Sequence, residues 1–163
     1  MVGNFPMGLI DTHTHLESFV RHGPLRPALD RAREAGVEGM ITIGTSPDDW
    51  ALYRDLAREH PGFVYYTAGL HPCSVEAGWE ACVAGLDRFF AGGEGAVALG
   101  ECGLDRFHLP KDVVRAAEIL QWQRGAFAAQ LAMAKRLGCP IVVHSRGAFQ
   151  ECVEMIDASG VDW

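Results

Sequence analysis

Residues 139–146 read Cys-Pro-Ile-Val-Val-His-Ser-Arg. Ile141, Val142 and Val143 are consecutive and apolar, with no polar alternation. A strand over Pro140–Ser145 with this pattern must be covered on both faces, which is the signature of a parallel sheet flanked by helices. His144 follows the apolar run directly, so it faces the rim of the sheet and not the helical layer. Upstream, Val113–Leu137 predicts one long or broken helix; downstream, Ala148–Ala158 predicts another. The same couplet recurs back to the start of the chain. Strands are predicted at Leu9–His13, Gly39–Gly44, Phe63–Gly69 and Ala96–Glu101. Between them, Pro24–Ala35 is a helix stopped by Gly36. Pro47–Glu59 is a helix with Ser46 as N-cap and Pro47 in its first turn, and Gly78–Phe90 is a third. Five strand–helix units in series predict an α/β fold with a parallel sheet. At this level it is either doubly wound or a (β/α) TIM-type barrel.

Both alternatives place functional residues at the C-terminal ends of strands. His13 and His15 lie at the end of the first predicted strand and His71 just past the third. Glu101 closes the fourth and His144 the fifth. Metal-ligating residue types at four of five strand ends point to a metal site.

In Ile10-Asp11-Thr12-His13-Thr14-His15, strand alternation puts Asp11, His13 and His15 on one face. Two imidazoles at i and i+2 can converge on one divalent ion. Glu101, in Leu99-Gly100-Glu101-Cys102-Gly103-Leu104-Asp105, offers a carboxylate that can bridge two ions. Asp105 either orients a ligand or caps the following loop. His71, in Gly69-Leu70-His71-Pro72, can contact substrate, polarise a water or act from behind the ligands. Arg146 can hold a phosphate or carboxylate bidentately. His22 and His60 are expected to be structural or solvent-facing, while His108 can reach the rim.

Composition narrows the classes. A net charge of −7 argues against binding nucleic acid through a broad basic surface, though not against a nuclease whose metals carry local positive charge. No apolar run is long enough to span a membrane. Residues 1–7 lack the pattern of a secretory leader, so a cytoplasmic location is expected. Five cysteines without a C-x-x-C pair support neither a disulfide framework nor a zinc ribbon, and most are expected to be buried. Neither a phosphate-binding glycine loop nor a G-x-S-x-G elbow is present.

With these motifs in order, the chain resembles the TatD-type metal-dependent hydrolases. The matching segments are IDTHTHLE (10–17), AGVEGMITIGT (35–45), GLHP (69–72), ALGECGLD (98–105), QRGAFAAQL (123–131) and PIVVHSR (140–146). The resemblance implies a (β/α) barrel in which His13 and His15 bind one metal, Glu101 bridges two and His144 binds the second. Two divalent ions are implied, magnesium first, with manganese or zinc as alternatives. The implied activity is hydrolysis of DNA phosphodiester bonds by a metal-activated water, in several relatives from 3′ to 5′. Thr14 and Glu17 depart from the usual Cys and Asp, Cys102 from Ile or Thr, and Gly147 from an acidic residue.

A complete barrel takes about 250 residues. The 163 residues are therefore expected to be one hydrolase domain, residues 1–163, truncated after about five of eight units, with Val161-Asp162-Trp163 as the run-up to a sixth strand. The family's further histidine and aspartate ligands, the latter a general base, would lie beyond. Open sheet edges would then invite self-association. Two other functions compete. An amidohydrolase acting on a C–N or ester bond would favour a bridging lysine in place of Glu101. A catalytically inactive metal-binding fragment would need none of the later ligands.

Overall fold

The computed structural model describes residues 8–92 and 95–162. The expectation about a leader in residues 1–7, and Trp163 in the run-up to a sixth strand, lie outside the described residues. Five strands form one sheet: β1 (Leu9–Thr14), β2 (Val37–Thr42), β3 (Val64–Ala68), β4 (Ala98–Asp105) and β5 (Ile141–Arg146). Their spatial order is β1-β2-β3-β4-β5, and all neighbours are parallel. A doubly wound sheet reverses strand order at a switch point, whereas a barrel wall keeps chain order. The arrangement is thus five consecutive units of a (β/α) barrel wall.

The helices are α1 (Glu17–His22), α2 (Leu25–Glu34), α3 (Pro47–Glu59), α4 (Trp79–Ala84), α5 (Val113–Leu137) and α6 (Phe149–Ser159). Helix α1 is an addition to the sequence reading; it buries none of its residues, so no amphipathic stripe announces it. The predicted helix over Gly78–Phe90 breaks in two. Residues after α4 tighten into a 3-10 turn over Gly85–Phe89, because Gly85 falls mid-element, where glycine is a poor helix former. The α5 segment is one unbroken helix. It opens with the Asp112 carboxylate accepting the Arg115 N–H at 2.8 Å and closes at Gly138 in the left-handed conformation.

Core packing lies between sheet and helices. All eight β4 residues are buried, while the α5 stripe of Leu120, Gln123, Phe127, Gln130, Leu131 and Ala134 faces inward with helical spacing. Trp50 and Tyr53 of α3 fill the space over β3. Of the five cysteines only Cys102 and Cys152 are buried; Cys82 and Cys139 are partly covered and Cys73 is exposed. That corrects the expectation that most are buried: Cys73 sits in an exposed turn, while Cys82 on the short α4 and Cys139 just past α5 pack only partly against the core. None is in a disulfide. Among the described residues no helix is long and apolar enough to cross a membrane.

Candidate metal centre at the strand ends

The structure corrects where two of the expected ligands sit. Strand β4 runs to Asp105, so Glu101 lies inside it, and β5 runs to Arg146, so His144 lies inside that strand. Gly100 and Gly103, on either side of Glu101, do not end the strand. Instead both adopt positive φ within the strand, at 138° and 145°. The register against β5 shifts between Leu99 and Cys102, which is a bulge. The bulge re-aims Glu101, whose N–H donates to the Gly44 carbonyl at 2.7 Å, across the end of β2. Close approach makes this possible: a Cβ on Gly69 would stand 2.4 Å from the Gly100 Cα.

At β1, the strand takes in His13 and ends at Thr14, leaving His15 just beyond it. The register against β2 is irregular between Asp11 and Thr14, and the Asp11 carboxylate accepts the His13 N–H at 3.1 Å. Asp11 therefore shapes the backbone of the histidine pair. The two imidazoles meet edge to face with centroids 5.3 Å apart. Buried Leu16 anchors the exit, donating its N–H to Thr42 Oγ1 at 3.2 Å.

Two groups of donor atoms share Glu101. In one, His13, His15 and Glu101 each offer an atom within 4.8 Å of the others; in the second, His71, Glu101 and His144 do the same. His13 Nε2 is 3.7 Å from Glu101 Oε2, and His144 Nδ1 is 3.2 Å from Glu101 Oε1. His71 Nε2 lies 3.0 Å from His144 Nδ1. Burial, and then the neighbouring His144, push the His71 imidazole down to about 4, so it stays neutral with a lone pair available. Imidazole nitrogens and a shared carboxylate are a donor set suited to divalent transition ions, and their mutual spacing fits groups that close on an ion.

Asp105, fully buried at the end of β4, stands behind the second group. Its Oδ2 is 3.0 Å from His144 Nε2 and 2.9 Å from His108 Nδ1, and it accepts the Cys73 thiol at 3.5 Å. Burial alone would raise this carboxyl. Hydrogen bonds from the His108 side chain and backbone, then from His144 and Cys73, outweigh that and hold it below the usual carboxylate range. Arg146 projects at the rim with its guanidinium 3.9 Å over the exposed Phe107 ring. His22 is exposed, and His60 caps the end of α3.

Sequence reasoning missed the groups that hold this rim from behind. Buried Gln130 on α5 clamps Leu70, accepting its N–H at 2.8 Å and donating to its carbonyl at 3.1 Å. Buried Gln123, one heptad earlier, accepts the Asp105 N–H at 3.0 Å and donates to the Pro72 carbonyl at 3.3 Å. Two glutamines seven apart on the apolar stripe of α5 were the available signal. Asp49 at the start of α3 accepts from the Thr45 N–H and hydroxyl, the latter at 2.6 Å; the Thr45 carbonyl in turn accepts the His71 N–H at 2.9 Å.

A parallel β/α wall with imidazoles and a carboxylate converging at one rim defines the class of barrel proteins built around metal ions. The family model described as TatD related DNase matches residues 10–162, and the chain belongs to this family. The 3'-5' ssDNA/RNA exonuclease TatD of Yersinia pseudotuberculosis is 35% identical over 131 residues, covering 78% of this chain and 46% of that protein. The protein of the same name from a Rahnella species is 41% identical over 122 residues, covering 74% and 43%. The chain spans about half the length of the curated relatives it matches. The crystal structure of a TatD homolog from Escherichia coli K12 superposes with a TM-score of 0.79 at 27% identity, covering 95% of this chain and 57% of that one. An uncharacterized amidohydrolase from Saccharomyces cerevisiae, 20% identical with a TM-score of 0.71, covers 92% of this chain and 51% of its own and shares the fold.

Proposed function

We propose that this chain carries the first part of the active site of a metal-dependent phosphodiesterase that trims single-stranded nucleic acid from its 3′ end. The observation that carries this reading is the sharing of Glu101 between two histidine groups. His13 and His15 would hold one divalent ion and His144 the second, with Glu101 between them. His71 stands close enough to serve the second ion or the substrate. Bound there, such ions supply Lewis acidity and a nucleophile at neutral pH. Magnesium is the ion the family resemblance implies, and the nitrogen-rich donor set also suits manganese or zinc.

The chain's own residues do the rest. Asp105 keeps the His144 ring fixed, with one nitrogen toward Asp105 and the other toward Glu101. Arg146, held on Phe107, is placed to take a substrate phosphate. The TatD relatives are named as exonucleases on single-stranded DNA and RNA, which agrees with a site open along the rim, where His13, His15 and Arg146 are exposed among the described residues. The outer edge of β1, where Leu9 and Ile10 are 58% and 55% exposed, is where further chain or a second copy would pair.

The test is elemental analysis of the purified protein against His13→Ala and Glu101→Ala. Both variants should lose metal, and equal content in all three overturns the ligand assignment. A 5′-labelled single-stranded oligonucleotide, incubated with Mg²⁺, Mn²⁺ or Zn²⁺ and the longest natural form of the protein, should shorten from its 3′ end. No shortening with any of the three overturns the activity.

A further inference from the structure

A third group of metal-ligand atoms lies beside this site and shares none of its proposed ligands. Cys73, in the 3-10 turn Pro72–Ser74 after β3, and His108, in the loop after β4, both face the carboxylate of Asp105. Cys73 Sγ is 3.5 Å from Asp105 Oδ2 and 3.6 Å from His108 Nδ1, and the last two atoms are 2.9 Å apart. Around a tetrahedral zinc ion, with bonds of about 2.0–2.3 Å, donor atoms stand about 3.3–3.6 Å from one another. Both sulfur distances already have that value. The imidazole–carboxylate pair needs to open by only about 0.4 Å, which exchanging its hydrogen bond for an ion would bring about.

We propose that Cys73, Asp105 and His108 form a zinc site distinct from the centre around Glu101. The donor set decides the ion. A thiolate selects zinc or another borderline ion over magnesium, which prefers oxygen. Cys73 and His108 are exposed while Asp105 is fully buried, so the fourth position faces solvent. On binding, Sγ releases its proton to solvent, and His108 carries its proton on Nε2 so that the Nδ1 lone pair meets the ion.

The site also has a consequence for its neighbour. The oxygen that would ligate zinc, Asp105 Oδ2, is the one facing His144 Nε2 at 3.0 Å. An ion there competes for the lone pairs that orient His144. Zinc in this site therefore weakens the grip of the Glu101–His144 group on its own ion.

Cobalt(II) titration followed by absorption tests the site, because a sulfur-to-cobalt charge-transfer band reports thiolate ligation directly. No residue of the Glu101 centre carries sulfur, so the band is silent to that centre. The wild type should develop the band and zinc should bleach it. Glu101→Ala should keep it, and Cys73→Ser, a near-isosteric change at an exposed position, should abolish it. His108→Gln should weaken zinc binding at least about tenfold. No band in the wild type, or a band that survives Cys73→Ser, overturns the proposal. Either result leaves the elemental analysis of His13→Ala and Glu101→Ala to judge the other centre independently.

Discussion

His144, inside β5, and Asp105, the last residue of the neighbouring β4, face each other with Nε2 and Oδ2 3.0 Å apart. The pairing is built into the register, since Gly103 lies opposite His144 and Asp105 opposite Arg146. A histidine that gives one ring nitrogen to a carboxylate presents the other with fixed direction and raised basicity. In this chain that other nitrogen, Nδ1, is 3.2 Å from Glu101 Oε1.

Asp105→Asn should therefore damage metal binding without touching a proposed ligand of the Glu101 centre. The amide keeps the shape and loses the charge that favours the oriented imidazole. The affinity for Mn²⁺ should fall about 10- to 100-fold, read by isothermal titration. An unchanged affinity would remove Asp105 from the mechanism.

Gln130 tests how the scaffold aims His71. Its side-chain amide satisfies both the N–H and the carbonyl of Leu70, the residue before His71. Gln130→Leu keeps helix propensity and apolar volume, so α5 itself should persist. It leaves two buried backbone groups unpaired, at about 1–3 kcal/mol each. Urea unfolding should show a loss of this size. A loss below about 0.5 kcal/mol would mean that water reaches Leu70 or that the turn shifts.

The five strands and the site's outline were legible because apolar runs end on polar residues, whereas the spatial order of the strands came only from the structure. Ile141-Val142-Val143 running into His144 is the clearest case. The full length of β4 was not legible, because glycines such as Gly100 and Gly103 weaken a strand pattern when taken one by one. Only the paired strand shows that their positive φ continues the strand through a bulge. The clamps by Gln123 and Gln130 were hidden for another reason: a glutamine in a helix is ordinarily a surface residue, and its partners lie 18 to 60 positions away. The same holds for Cys73 and His108, 35 positions apart in the chain.

Gly69→Ala should be among the most damaging single methyl additions. The new Cβ would sit 2.4 Å from the Gly100 Cα, a backbone atom with no rotamer to yield. Relief requires β3 and the β4 bulge to separate, which displaces Glu101, the next residue. Overpacking of this kind costs about 1–3 kcal/mol or more. The midpoint of thermal unfolding should fall by about 2–4 °C per kcal/mol, with loss of metal binding alongside. A variant with wild-type stability would show that the two strands are not held in contact.

Glu151 carries the pH prediction. It lies in the first turn of α6 and accepts from Arg106, after β4, at 2.7 Å and from Arg124 on α5, so three elements meet on one carboxylate. Burial would raise this group, but the hydrogen bonds and charge of the two guanidinium groups hold it below its ordinary value. A carboxyl that is more acidic in the fold contributes stability above the ordinary glutamate range. It loses that contribution as pH falls through its folded value. Both arginines are partly exposed, so solvent screening limits the gain to about 1 kcal/mol. Glu151→Gln should therefore be less stable than the wild type at neutral pH by about that amount. The gap should close on acidification below the usual carboxylate range, followed by urea midpoints at a series of pH values. A gap that stays constant into acid would assign the effect to packing of the side chain, leaving its charge without a role.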